Sequence, residues 1–447
     1  MNDRNDLTTG VIWKKLILFF LPIAAGTIFQ QLYNAVDAIV VGKFVGTEAL
    51  AAVGGSPATF INLLLGFFVA LSGGAGVVIA QRCGAKDGDM VSREIHTAVT
   101  FCFLIGIALF ILVLFFAPEV LVLLKTPADT LKDAVLYTRI YFGGSIFMLL
   151  FNMGSGILRA LGDSRRPFIY LLVSCLSNII LDLFFVIALD LGVAGVAWAT
   201  VIAQGLSTIL ILINLARHDN YPLRLRLLGI DREALKEMLR IGVPSGLQSS
   251  MYGVSNMILQ IGVNTLGTVV VASWSMCGKI DGIYWAISGA FGTAVMNFVA
   301  QNYGAHKTDR IKSCTRTGLK LFTIATLLLS TGILLLAKPV LHIFTDDPAL
   351  METTWKLLTY FVPTYILWTV IEIFSGVLRG VGDALKPFII LALGVCLLRV
   401  VWVLTVFQSF HTLFVISISY PISWAVTDVA MLLYYFKGSI FKRSKSE

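Results

Sequence analysis

Residues Ser155–Phe168 read SGILRALGDSRRPF, and Ser375–Phe388 read SGVLRGVGDALKPF. Eight of the fourteen positions are identical, at a constant offset of 220. A second echo keeps the register, AQRCGA at Ala80–Ala85 against AQNYGA at Ala300–Ala305. Leu21-Pro22 and Val243-Pro244 open two halves at nearly the same spacing. The copied stretch has a local logic. Asp163 and Asp383 are placed to cap the next helix, and Pro167 and Pro387 suit its first turn. Arg159 and Arg379 are placed to neutralise the ends of the preceding helices. The turn reads as scaffold.

What lies between the copies sets the class. Of 447 residues, 57% are hydrophobic and 13% charged, with mean hydropathy +0.85. Soluble domains carry about 25% charged residues, so this chain is read as a membrane protein. A spanning helix needs about 20 apolar residues. Twelve such helices are placed near 14–41, 49–81, 94–117, 134–158, 167–189 and 192–215, then 237–264, 268–303, 314–337, 352–378, 387–408 and 412–436. The first is too long for a signal-peptide core and lacks a small-residue cleavage site, so it counts as a span. Six cysteines without paired spacing read as small core residues.

Lysine and arginine orient the spans. Twenty-six of the 34 fall in one family of loops, from Arg4, Lys14 and Lys15 to Lys437, Lys442, Arg443 and Lys445; six fall in the alternate loops. Both termini are therefore expected in the cytoplasm of a plasma (inner) membrane protein. The net charge of +8 is explained by a cytoplasmic rim facing lipid and calls for no nucleic acid. The expected fold is all-α, with twelve transmembrane helices in two parallel six-helix repeats around a central cleft. The N-lobe is 1–216, a cytoplasmic connector 217–236, and the C-lobe 237–447 with its tail. Parallel repeats of this kind are a transporter architecture. Neither H-E-x-x-H nor G-x-S-x-G occurs, so no enzyme and no cofactor are expected. A channel would need a filter-like loop, and none is seen.

An ionisable residue at membrane depth is costly and marks function. The first half has Asp37 in span 1 and Asp182 in span 5. At 1.5 Å per residue, Asp37 lies about 9 Å before Lys43, Asp182 about 12 Å before Asp190, and Thr200 about 12 Å below Gly192. Asn178 shares a helical face with Asp182. Three helices thus bring oxygen-bearing side chains to one level. The set suits a shared proton or a hard cation, Na+ or H+. The second half did not copy it, since Asn178 aligns with Leu398 and Asp182 with Trp402. It carries Lys279, Asp281, Glu372 and Arg399 instead, whose balanced signs suggest internal ion pairs or a cavity for cations. Asp428 is expected to snorkel to the cytoplasmic end. Gln30, Gln31 and Asn34 in span 1 and Gln248, Tyr252, Asn256 and Gln260 in span 7, with Asp281 and Glu372, are candidates for lining the cleft. Gly73, Gly74 and Gly76 read as sites of close helix contact.

These residues together resemble the multidrug and toxic compound extrusion (MATE) transporters of bacterial type. The likeness covers essentially the whole chain. It rests on LPIAAGTIFQQLYNAVDAIVVGKFVG, both AQ-x-x-GA segments, both SG-x-LR-x-x-GD-x-x-x-PF turns and SNIILDLFFVIALDLGVAGVAWAT. The resemblance implies two six-helix lobes around a cleft. It implies antiport of Na+ or H+ against drugs, dyes or other amphipathic organic cations, with coupling acids at Asp37 and Asp182 helped by Asn178 and Thr200. Some members carry a second-lobe acid on span 7, where this chain has Asn256 and Gln260; Glu372 remains a candidate. A monomer in contact with membrane lipids is expected. The alternative is a lipid-linked oligosaccharide flippase of the same superfamily, whose extra helices and strongly cationic cavity this chain lacks.

Overall fold

The computed structural model describes residues 6–437. Arg4, Lys442, Arg443 and Lys445, counted above as cytoplasmic charges, lie outside the described residues. Within them the chain is helical and has no strand. The first half comprises α1 (Ile12–Val45), α2 (Glu48–Ala85), α3 (Gly88–Leu123), α4 (Leu131–Gly143 and Ser145–Ala160, bent by 48°), α5 (Arg165–Ala188) and α6 (Gly192–Ala216). The second comprises α7 (Arg232–Asn264), α8 (Thr268–Gly304), α9 (Thr308–Phe344), α10 (Pro348–Gly380), α11 (Leu385–Ser409) and α12 (Leu413–Lys437).

Among the described residues ten of these helices are individually long and apolar enough to cross a membrane, and the bent α4 makes eleven. The twelfth, α7, has 33 residues, ample length for a span of about 20. Its apolarity is diluted by Gln248, Ser249, Ser250, Ser255, Asn256 and Gln260. The chain divides into two compact units. One contains Leu21–Gly246; the other contains Thr8–Phe20 and the chain from Leu247 onward.

The duplicated turn has the same geometry in both units. Gly162 and Gly382 each adopt φ +88°, a conformation that glycine reaches without a Cβ clash. The Asp163 N–H donates to the Leu158 carbonyl at 2.8 Å and the Gly162 N–H to that of Arg159 at 2.9 Å; Asp383 to Leu378 and Gly382 to Arg379 repeat the pair at 2.9 Å each. This six-to-one, five-to-two pattern ends a helix while satisfying its last carbonyls. Asp163 then caps α5, its Oδ1 accepting from the backbone of Arg165 at 3.0 Å and Arg166 at 3.1 Å. Asp383 instead accepts from the Tyr434 hydroxyl. Arg379 donates to the Ser375 carbonyl at 3.3 Å.

Earlier in the same stretch, Gly156 lies against the backbone of α2 and Gly376 against that of α8. A Cβ would stand 3.4 Å from the Ser72 oxygen in the first and 3.0 Å from the Gly292 oxygen in the second. The copied "SG" is therefore where two helix backbones meet, a common solution when lipid supplies no hydrophobic drive. Gly74 and Gly76 make the expected close contacts as well, against Gly242 and Gly156.

In the first unit the segment after α6 is strapped to α3. The His96 ring accepts the Arg224 N–H at 3.0 Å through Nε2, while its Nδ1 lies 2.6 Å from the Ser92 carbonyl. Thr97 Oγ1 accepts the Asp231 N–H at 3.1 Å. Arg82 reaches Glu94 of α3 at 3.2 Å and Glu237 of α7 at 2.8 Å. All six cysteines are buried and free, in keeping with a packing role.

Candidate ion and substrate sites

The first unit brings together the four residues proposed for a coupling ion. Asp182 and Asn178 project from α5, Thr200 from α6, and Asp37 from α1. Asp182 is 0% exposed, Asn178 2% and Thr200 3%. Two carboxylates facing one amide accept hydrogen bonds, so the amide presents its NH2 to them. In that orientation Asn178 donates to Asp37 Oδ1 at 2.8 Å and to Asp182 Oδ2 at 3.3 Å. The other end of the amide lies 3.4 Å from Thr200 Oγ1, and the Thr200 hydroxyl also reaches the Val196 carbonyl at 3.1 Å. The two carboxyl groups are within hydrogen-bonding reach of one another.

One acceptor is left over. Asp182 Oδ1 is buried and has no hydrogen-bond partner. An orphaned carboxylate oxygen in a site of two acids, an amide and a hydroxyl fits a small hard cation or a proton. Among the described residues no three His, Cys, Asp or Glu side chains gather as a metal-holding group.

The surroundings are partly apolar, and Asp37 is half-buried. Val40, Val41, Val186, Val193 and Val196 form an apolar cluster beside the acids. Two π-helical turns frame it, Val41–Val45 beginning four residues after Asp37 and Phe184–Ala188 two after Asp182, and they pack on each other. Such turns often mark functional positions because the extra residue re-aims side chains. Tyr33, Tyr137 and Tyr141 lie within electrostatic reach of Asp37, and Tyr141 is hydrogen-bonded to Gln204, one turn beyond Thr200. Sequence reasoning missed these tyrosines and Gln204. Spacing at i, i+4 from Asp37 and Thr200 was the available signal.

The second unit is built differently. Among the described residues no ion pair joins Lys279, Asp281, Glu372 or Arg399, which corrects the expectation of internal ion pairs. Lys279 is exposed. Asp281 accepts from the Tyr365 hydroxyl at 2.8 Å and is hydrogen-bonded to Trp285. Glu372 lies over Gly292, with Trp368 as its hydrogen-bonding neighbour. Arg399 donates to Ser423 Oγ at 2.8 Å, with its guanidinium 3.9 Å from the centre of the Tyr420 ring and 5.5 Å from that of Trp424. Asp428 is buried, 6% exposed, and does not snorkel. It sits nine residues before Lys437, about 13 Å of helix, and packs toward Ile371 of α10.

Aromatic rings surround these groups. Trp285 lies 5.2 Å from Trp368 and 6.2 Å from Trp424; Trp368 lies 5.9 Å from Trp424; Tyr284 stacks on Tyr365 at 4.2 Å. Tyr252 approaches Trp368 at 6.2 Å, and Gln248 donates to its hydroxyl at 3.4 Å. Gln260 pairs with Asn264 at 2.8 Å, and Asn256 is exposed. Gln30, Gln31 and Asn34 are exposed on α1.

The duplicated halves match a family model, MatE, once over residues 22–184 and again over 244–430. The chain belongs to the MatE family. It is a multi-pass membrane transporter and not an enzyme. Among curated proteins it is 28% identical to "Probable multidrug resistance protein YoeA" of Bacillus subtilis (strain 168), covering 97% of this chain and 95% of that one. It is 22% identical to "Multidrug export protein MepA" of Staphylococcus aureus (strain NCTC 8325 / PS 47), covering 83% and 82%. Among solved structures it superposes with TM-score 0.91 on an outward-facing multidrug resistance MATE family transporter of the MOP superfamily. It superposes with TM-score 0.92 on a MATE in the bent conformation. Each is 23% identical and covers 100% of both chains, a likeness of fold. The two-repeat, all-helical architecture expected from the doubled turn is that of this MatE family.

Proposed function

We propose that this MatE-family chain is a multidrug exporter driven by Na+ or H+, with Asp37 and Asp182 as the coupling acids. The observation that carries the reading is the acid pair joined by Asn178, half-buried Asp37 and fully buried Asp182, with Asp182 Oδ1 left unsatisfied. The multidrug names of the relatives support efflux of drugs or dyes. Two adjacent carboxylates repel each other when both are charged, so a small cation is held most strongly when the pocket is closed to water. Occupancy then favours one arrangement of α1, α5 and α6, and a ligand that binds the other arrangement better is exchanged for the ion. The substrates we propose are amphipathic organic cations. We propose a plasma-membrane monomer, with both termini placed in the cytoplasm on the 26-to-6 lysine and arginine split.

The test is dye efflux from proteoliposomes under an imposed Na+ gradient, then an imposed H+ gradient, each alone. One gradient is expected to drive efflux. Asp37→Asn and Asp182→Asn are each expected to abolish that component with normal expression and folding. Full gradient-driven efflux by either variant removes the coupling role.

A further inference from the structure

The second unit holds a cation without an anion. Arg399 is 4% exposed, and among the described residues no carboxylate pairs with it. It stands fourteen residues after Leu385 and ten before Ser409, about 20 Å and 15 Å of helix from the two ends of α11. That is close to mid-membrane, where an unpaired charge is expensive. Its Nε is used by Ser423. Its Nη2 is buried and has no partner, and neither has the indole Nε1 of Trp424, itself 1% exposed. Two unpartnered N–H donors therefore belong to side chains already in cation–π contact, and both lack the same thing, an acceptor. The nearby acids do not supply it. Asp281 is engaged by Tyr365, and Glu372 has Trp368 and the charge of Arg379 as its neighbours.

We infer that Arg399 and Trp424 receive the carboxylate of an aromatic zwitterionic substrate, whose rings lie among Tyr252, Trp368 and Tyr420. This deepens the export reading and rests on it. A guanidinium offers a planar fork of donors that matches a carboxylate, and its stacking on Tyr420 presets its plane. Tyr365 links the two polar ends of the unit. Its hydroxyl donates to Asp281 and its ring lies 6.1 Å from Trp424. A molecule with a cationic group and a carboxylate on an aromatic frame thus meets an acid at one end and Arg399 at the other. A purely cationic substrate leaves the Arg399 charge uncompensated.

The experiment is dye binding by the full chain in nanodiscs, read by fluorescence anisotropy with no ion gradient. The probes are rhodamine 110, with a free carboxylate, and rhodamine 123, its methyl ester. For Arg399→Gln the carboxylate dye is expected to bind about tenfold more weakly or worse, the size of a lost charged hydrogen bond. The ester is expected to change less than about twofold. Arg399→Lys, which keeps the charge, should retain most of the carboxylate preference. Equal losses for both dyes, no loss for either, or no carboxylate preference in the native chain and Arg399→Lys overturns the inference. Because no gradient is applied, a failure of coupling at Asp37 and Asp182 leaves this result intact, and a failure here leaves coupled efflux of other dyes standing.

Discussion

The two units share a backbone and differ in what they bury. At the repeat offset, Asp182 corresponds to Trp402 and Asn178 to Leu398; at the helix-start spacing of 222, Asp37 corresponds to Leu259. Leu259 is a core residue, and Trp402 donates its indole N–H to the Val415 carbonyl at 2.9 Å. The first unit thus gathers acids where the second has hydrocarbon, while the second gathers rings around a lone arginine. Geometry was copied faithfully and charge was not. On the proposed reading, the first unit handles the ion and the second recognises the ligand. Putting the second unit's residue into the first is the sharpest way to break it. Asn178→Leu keeps similar bulk and removes two hydrogen bonds to carboxyl groups, each contributing about 1.5–3 kcal/mol. Gradient-driven efflux per folded molecule in proteoliposomes is expected to fall about a hundredfold, with a lower unfolding temperature because the same hydrogen bonds help hold the fold. Unchanged efflux would reduce Asn178 to a spacer.

Much of this was legible in the sequence because it depends on covalent or short-range rules. The doubled Gly-Asp-x-x-x-Pro turn announced the Asp163 cap and the twofold repeat it belongs to. That Asp37, Asp182 and Thr200 meet around Asn178 followed from helical rise alone. The ion pairs expected in the second unit failed for a physical reason. Charge balance counts signs, whereas burial pairs each group with the polar atom that faces it, here Tyr365 for Asp281 and Ser423 for Arg399. The aromatic box was hidden because Trp285, Trp368 and Trp424 come from three helices, and each alone looks like ordinary apolar filling. The π turns at Val41–Val45 and Phe184–Ala188 leave no compositional mark.

The AQ-x-x-GA segments offer a second contrast. In the first unit Arg82 stands beside Glu94, which is 0% exposed. In the second, the same positions are Asn302 and the buried Cys314, and Asn302 accepts from Arg310 Nε at 3.1 Å. Arg82→Asn copies the second unit's choice but leaves Glu94 as a buried acid without its cation. Breaking a fully buried pair costs about 3–5 kcal/mol. With Arg82 about a third exposed, a loss of about 2 kcal/mol is expected, seen as a lower unfolding temperature in detergent. The double change Arg82→Asn with Glu94→Cys removes the stranded acid and should recover most of the loss. No recovery would mean that Arg82 acts through Glu237 instead.

The smallest expected effect tests the copied geometry itself. Gly162→Ala and Gly382→Ala each place a Cβ on a residue at φ +88°, at a cost of about 1 kcal/mol. The hydrogen bonds that close the two turns agree within 0.1 Å, so the losses in unfolding temperature should match. Transport per folded molecule should stay close to native for both. The flanking caps differ, with Asp163 serving backbone N–H groups and Asp383 serving Tyr434. A larger loss at one turn would therefore report the cap and not the glycine. If one variant instead lost transport at unchanged stability, that turn would move during the cycle. The units would then differ in mechanics as well as in chemistry, because a static scaffold turn loses function only in proportion to folding.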